Sequence, residues 1–362
     1  YQQRYRLERA LTRAEVAGDA GLVADGRSLP ELLRSSGYRT GLVGKWHLGY
    51  KPQHSPNAHG FDYFFGFKSG YVDYYQHTDS GGHPDLFENE APTSAPGYMT
   101  DLITDRAVSF IERAGGSPFF LEVTYNAGHW PFQPPGRPLV ARKQGQFINP
   151  SEEEPGTRAD YVAMIERADE GVGRLLGTLT RRGLDRNTLV IFTNDNGGEW
   201  LSRNAPLYHR KDTLWEGGIR VPLLMRWPGR IPAARVTSQV GIIMDLTATI
   251  LDAAKVEVPS GPALEGRSLL AVASGEGPPS ERTLFFRIAT PERQQRSVRQ
   301  GPWKLLLDGD DTMVFNLADD VGERNDVTAQ HPEVARRLLP LLQAWEADVD
   351  AEAARREAAQ GR

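Results

Sequence analysis

The chain has 362 residues, 39% of them hydrophobic and 25% charged, with 37 glycines, 25 prolines and no cysteine. Its net charge of -5 gives no basis for binding nucleic acid or an acidic membrane, and no apolar run is long enough to cross a bilayer. The lack of cysteine excludes disulfides, zinc–thiolate sites and a thiol nucleophile within these residues.

The first residue is Tyr1 and no signal peptide is visible, so the natural N-terminus is expected to be missing or processed away. The opening twenty-odd residues have no clear period and no evident partner. Next, SLPELLRSSGY reads as a short helix with Ser28 as N-cap, Glu31 completing a capping box and Gly37 as the stop. Tyr38 to Val43 follow as a strand. From Lys51 to Pro96 the chain is rich in Gly, His, Pro, Asp and aromatic residues, as expected of long surface loops over a site.

A helix is expected from about Thr100 to Ala114 and a buried strand from Phe119 to Tyr125. The clearest helix runs from about Arg158 to Arg182, with Tyr161, Ile165, Val172, Leu175, Leu176 and Leu179 on one stripe and Gly183 ending it. TLVIFTNDNGG and VPLLMRW give further strands, and MDLTATILDAA a further helix. Helices alternating with buried strands predict an α/β core with a mostly parallel sheet, in which function gathers at the carboxyl ends of strands. After about Gly275 the segments TLFFRI, SVRQGPWKLLLD and MVFNL read as short strands, followed by a helix from about Pro332. The organisation expected is therefore an α/β domain over residues 1–275 and an antiparallel α+β subdomain over residues 276–362, ending in a frayed, alanine-rich tail.

Polar residues stand at the ends of several of these strands. Lys45 and His47, two apart in GKWHLG, would share one face of an extended chain. His129 follows a strand in NAGHWPF. Asp195 and Asn196 in TNDNGGE offer oxygen ligands of the kind that suits Ca2+ or Mg2+, and Lys211 precedes a glycine pair in HRKDTLWEGGIRVP. Taken singly, each has a structural explanation: a snorkelling lysine, a capping histidine, an Asx turn. Together, at the ends of one parallel sheet, they would form a site for a small, highly charged oxyanion. A metal and ammonium groups would neutralise the anion, and a histidine would protonate a leaving group. The residues alone lead to metal-assisted hydrolysis of a sulfate or phosphate ester.

The ordered set GYRTGLVGKWHLG, HGFDYFFGF, GHWPFQPP, TNDNGGEW and KDTLWEGGIRVPLLMRWPG resembles the type I sulfatases of the alkaline phosphatase superfamily, from about Leu29 to Val327. NLADDVGERNDV resembles that family's closing D-P-x-E-x-x-N-L segment, with Val321 in place of the proline and Val327 in place of the leucine. The resemblance implies an alkaline-phosphatase-like fold and a set of roles. Lys45 would contact the sulfate and a formylglycine nucleophile, and His47 would act as base when the covalent sulfate ester collapses. His129 would bind substrate and, with Lys211, assist the leaving alkoxide. Asp195 and Asn196 would supply half of the ligands of a Ca2+ ion, with Mg2+ the second choice.

The family's C/S-x-P-S-R nucleophile motif is absent, since Ser94 in SAPG lacks the following Ser-Arg, and the paired metal-binding aspartates are absent too. The expectation is an N-terminally truncated sulfatase, inactive as it stands, whose formylglycine derives from a Cys or Ser upstream of Tyr1. Two alternatives accompany it: a phosphonate or phosphate ester hydrolase using the same site, and a non-catalytic sulfatase-like protein that binds sulfated glycans. The expected partner is a small-molecule or saccharide sulfate ester, with the loop from Gly70 to Glu90 overhanging it. The resemblance favours a periplasmic or secreted location.

Overall fold

A computed structural model describes residues 1–11, 20–137, 156–261 and 263–359. The chain forms two compact units, one of Ala10–Thr188 with Ala254–Pro259, the other of Tyr1–Arg9, Leu189–Ala253 and Ser260–Arg362.

The first unit is built on a sheet of five strands, β1 (Arg39–Lys45), β2 (Tyr63–Phe67), β3 (Phe87–Glu88), β4 (Ala91–Pro92) and β5 (Phe119–Thr124), in the order β4-β3-β2-β1-β5. β1 is parallel to both β2 and β5, while β3 and β4 add an antiparallel edge. Helix α1 (Leu29–Ser35) precedes β1 and carries the expected capping box, Ser28 accepting from the Glu31 amide while the Glu31 carboxylate accepts from the Ser28 amide. β1 is buried from Thr40 to Gly44. Its glycine is sterically required: a Cβ on Gly44 would lie 2.1 Å from the Thr124 carbonyl oxygen, and one on Gly66 would lie 1.8 Å from the Gly44 oxygen.

Helices α2 (Met99–Arg113) and α3 (Arg158–Arg181) pack against each other beside this sheet. Both form where expected, but the buried face of α3 carries Met164, Gly171, Thr178 and Leu179, while Ile165 is 40% exposed. Gly171 allows this close approach: a Cβ there would lie 2.5 Å from Thr104 Oγ1 of α2 and 2.6 Å from the Tyr125 hydroxyl. β2 lies inside the stretch read as loop. β5 is half-buried with Glu122 exposed, because it is the last strand in the sheet order and pairs only with β1 along one edge.

In the second unit, β6 (Val190–Thr193) pairs with β7 (Leu223–Arg226). The pairing is antiparallel, which corrects the reading of β6 as a buried strand of a single parallel sheet. Phe192 at 42% exposure and Leu224 at 60% belong to a two-stranded ribbon. The short helix α4 (Glu216–Ile219) lies between these strands in sequence, and α5 (Met244–Ala254) and α6 (Leu270–Ser274) come after them. A four-stranded antiparallel sheet comes next, of β8 (Thr283–Thr290), β9 (Arg293–Gln300), β10 (Trp303–Asp308) and β11 (Asp311–Asn316). SVRQGPWKLLLD, expected as one strand, is a hairpin: Gly301 at φ 57° turns the chain, and Pro302 completes the turn between β9 and β10.

Alternation along β10 separates two cores. Leu305 and Leu307 pack with Val298 and Val314 against Val334, Leu338, Leu342, Trp345 and Val349 of helix α7 (Pro332–Ala359). Leu306 points the other way, to Leu214, Trp215, Phe315 and Leu317. Two expectations fail at the termini. The tail is helical through Ala359, and the start of the chain has partners: the Tyr1 ammonium reaches Glu265 at 2.6 Å, and Arg4 reaches Glu265, Asp348 and Glu352 at 2.7–2.8 Å. No helix among the described residues is long and apolar enough to cross a membrane.

Candidate active site

Lys45, His47 and His129 belong to the first unit, and Asp195, Asn196 and Lys211 to the second. Lys45 is the last residue of β1, half-buried, and its carbonyl accepts from Thr124 Oγ1 at 2.7 Å. His47 adopts φ 59°, so the extended-chain argument for a shared face ends at Lys45. A left-handed histidine costs on the order of 1–3 kcal/mol and persists where surrounding contacts impose it. Its Nε2 lies 3.1 Å from the Leu11 carbonyl. A carbonyl only accepts, so Nε2 carries the proton and Nδ1 is the basic nitrogen.

His129 sits in the turn after β5, its amide donating to Asn126 O at 2.7 Å. Tyr74, fully buried, donates its hydroxyl to Asn126 O at 2.5 Å, pinning that turn. His129 Nδ1 donates to Trp130 O at 2.7 Å, which makes Nε2 the nitrogen that exchanges a proton. Tyr71 stacks on the His129 ring, with centroids 5.3 Å apart and planes at 18°. The preceding residue, Gly70, lies against His47: a Cβ there would be 2.7 Å from His47 Cε1. Gly70 and Tyr71 therefore bring both histidines to one loop.

Tyr71 and Gly70 fall in the Gly70–Glu90 loop that the sequence placed over the site, although composition singled out neither. The carboxylates of that loop hold the loop itself. Asp73 accepts from Gln133 Nε2 at 2.6 Å, Asp79 from the Gly81 and His83 amides, and Asp85 from the Lys68 and Ser69 amides.

In the second unit, Asp195, Asn196 and Lys211 line one open groove of about 2240 Å3. Asp195 is exposed and its Oδ1 accepts from the Asn196 amide at 2.9 Å. Asn196 donates its side-chain amide nitrogen to Gly197 O at 2.8 Å, and its side-chain oxygen is the atom that would face a cation. Lys211 pairs with Glu199 at 2.8 Å, in a segment where His209 and Asp212 also take positive φ, at 61° and 66°.

Two glycine pairs join these residues. Gly197 N donates to Gly218 O at 2.8 Å, and Lys211 N to Gly198 O at 3.1 Å. A Cβ on Gly197 would lie 1.9 Å from Gly217 O. Gly197→Ala is therefore expected to force the two turns apart and to cost about 1–3 kcal/mol or more in urea unfolding. An unchanged midpoint would show that the turns can yield.

Asp195 and Asn196 have the donor chemistry of a hard-cation site, but they give two ligands where Ca2+ takes about six to eight. Among the described residues no group of three or more His, Cys, Asp or Glu could hold a metal ion. The two residues fit such an ion as part of a larger ligand set.

The parallel sheet flanked by helices, the antiparallel C-terminal sheet and the polar turns after β1, β5 and β6 define a sulfatase-like α/β protein. Residues 10–256 match the sulfatase family, and residues 206–346 match the C-terminal region described as N-sulphoglucosamine sulphohydrolase. The chain belongs to the sulfatase family.

It is 33% identical to the N-acetylgalactosamine-6-sulfatase of Canis lupus familiaris over 95% of this chain and 72% of that protein. It is likewise 33% identical to the Mus musculus enzyme of the same name, over 79% of this chain and 55% of the relative. The chain thus spans little more than half the length of the mouse relative. Among solved structures, Ps i-CgsB in complex with k-i-k-neocarrahexaose superposes with a TM-score of 0.83 at 27% identity, covering 95% of this chain and 79% of that one.

Proposed function

We propose that the protein carrying this chain hydrolyses a saccharide sulfate monoester to an alcohol and inorganic sulfate, with a formylglycine nucleophile that lies outside these residues and with Ca2+ bound in part by Asp195 and Asn196. The observation that supports this reading is the pair of histidines gathered on Gly70–Tyr71, each with one ring nitrogen bonded to a backbone carbonyl. When bound, Ca2+ would neutralise sulfate charge as the ester bond breaks.

The remaining roles fall to groups of this chain. Lys45, at the carboxyl end of β1, supplies an ammonium for a sulfate oxygen. His47 takes a proton at Nδ1. His129 gives a proton from Nε2 toward the leaving oxygen, with the Lys211 ammonium stabilising the alkoxide charge. The relatives named N-acetylgalactosamine-6-sulfatase and the similar structure in complex with k-i-k-neocarrahexaose support a sugar ester, and relatives named arylsulfatase J and G keep an aryl ester as the alternative.

The test is turnover of p-nitrophenyl sulfate by the full-length polypeptide, before and after treatment with an aldehyde-trapping hydrazine. Turnover abolished by the hydrazine is expected. Turnover indifferent to it would remove the formylglycine from the reading, and no turnover of any sulfate ester would remove the reading itself.

A further inference from the structure

Lys304 is the second residue of β10, directly before three leucines, and it is fully buried. Along β10 it shares parity with Leu306, whose side chain packs on Leu214 and Trp215, so it too faces the segment that comes after Lys211. Its Nζ lies 2.7 Å from Leu214 O, 3.0 Å from Glu216 Oε1 and 2.7 Å from Glu323 Oε1. The ammonium donates to Leu214 O and Glu216 Oε1, while Glu323 Oε1 faces it as an ion-pair partner without hydrogen-bond geometry.

Glu323 closes the cluster, its Oε2 accepting from the Glu216 amide at 2.6 Å. Gln295, also buried, accepts from the Leu214 amide at 2.7 Å and donates to Asp308 at 2.6 Å. Arg220 and Arg299 stand 3.3 and 3.7 Å from Glu216 Oε2. Burial pushes the Glu323 carboxyl up. Burial acts on Glu216 in the same direction, but Lys304 and the two arginines hold that carboxyl below its usual range.

This cluster grips both ends of Leu214–Glu216, and the glycine pair that meets the Asp195 turn comes immediately after that segment. Gly217 N donates to Tyr208 O at 2.8 Å, and Gly218 O accepts from Gly197 N at 2.8 Å. A chain of short contacts thus runs from Lys304 through Glu216 and Gly218 to the residues beside Asp195, Asn196 and Lys211. A hydrophobic core would not need three buried charges to cover Leu306, and buried ion clusters are no stability gain over apolar residues of equal volume. What such a cluster adds is direction, since its hydrogen bonds to Leu214 O, Glu216 Oε1 and the Glu216 amide are met together in one arrangement.

We propose that Lys304, Glu216 and Glu323 are positioning residues that fix the Lys211–Gly218 segment in register with the Asp195–Asn196 turn. The proposal rests on the sulfatase reading for its catalytic consequence and on geometry for its structural one.

The test uses three variants of the full-length protein: Lys304→Met, Glu323→Gln, and the neutral triple variant Lys304→Met, Glu216→Gln, Glu323→Gln. Lys304→Met leaves Glu216 and Glu323 buried without the Lys304 ammonium, so its Tm falls; the triple variant removes these three charges while Arg220 and Arg299 lose Glu216, and its Tm lies above that of Lys304→Met. With p-nitrophenyl sulfate, the triple variant is expected to keep kcat depressed about tenfold or more with a smaller change in KM, because displaced catalytic groups act on the chemical step. Amide exchange at Gly197 and Lys211 should quicken relative to β8–β9 amides of the same unit in the triple variant and, more weakly, in Glu323→Gln.

Parental kcat together with parental exchange at those two amides would overturn the proposal. If the full-length protein turns over no sulfate ester, the catalytic reading fails separately. The exchange comparison then decides the positioning alone, and unchanged protection in the triple variant and in Glu323→Gln overturns it.

Discussion

Alanine at Lys45, His129 or Lys211 of the full-length enzyme is expected to lower kcat for a sulfate ester by about a hundredfold or more, as losses of oxyanion and acid–base partners do. In the proposed reaction the three would act at different points of one step. Lys45 ends a fully paired, buried strand, so its backbone is fixed before substrate arrives. His129 is held by its Nδ1 bond to Trp130 O and by Tyr71 stacked on its ring. Lys211 is held by Glu199 and by its own amide. His47→Ala should lose a similar factor, as the loss of the proposed base does. Steady-state kinetics with folded variants, checked by circular dichroism, measure this directly. Near-parental kcat in any two of the four would contradict the assignment.

The second large effect concerns the metal. Isothermal titration of the 362-residue chain with Ca2+ is expected to show binding in the millimolar range or weaker, because affinity follows the number of charged ligands and Asp195 is the one carboxylate of its pair. In the full-length protein binding should be far tighter, and Asp195→Asn should weaken it about tenfold or more, with activity restored by raised Ca2+. Tight, chelator-sensitive binding by the present chain would mean that its own residues complete the site. An Asp195→Asn enzyme with parental Ca2+ affinity would place the ion elsewhere.

The sequence was most readable where structure is local. The capping box of Ser28 and Glu31, the glycine stop at Gly183 and the helices on either side of β5 arise from neighbours a few residues apart. Strand β2 was hidden because YFFGF lies in a stretch rich in glycine and aromatics, and its partner β1 lies across a crossover. The direction of β6 was not legible either. A short apolar run fits a parallel or an antiparallel neighbour, and Leu223–Arg226 supplied the antiparallel one.

The site divides in the same way. Lys45, His129 and Lys211 stand out as polar residues beside strand ends or glycines. Tyr71 and Gly70 do not, since stacking on His129 and contact with His47 depend on residues 58 and 23 positions away in sequence. Lys304 leaves a signal, a lysine directly before three leucines in WKLLLD, whose partner Glu216 is 88 residues upstream. The face-to-face packing of Gly197 and Gly217 explains why both motifs carry glycine pairs, which composition alone reads as two unrelated turns.

The most direct test of the central claim is a comparison of kcat/KM for p-nitrophenyl sulfate and a p-nitrophenyl phosphonate ester in the full-length protein at saturating Ca2+. A preference for the sulfate ester is the predicted result. A clear preference for the phosphonate would contradict it and assign the same lysines and histidines to phosphonate ester hydrolysis.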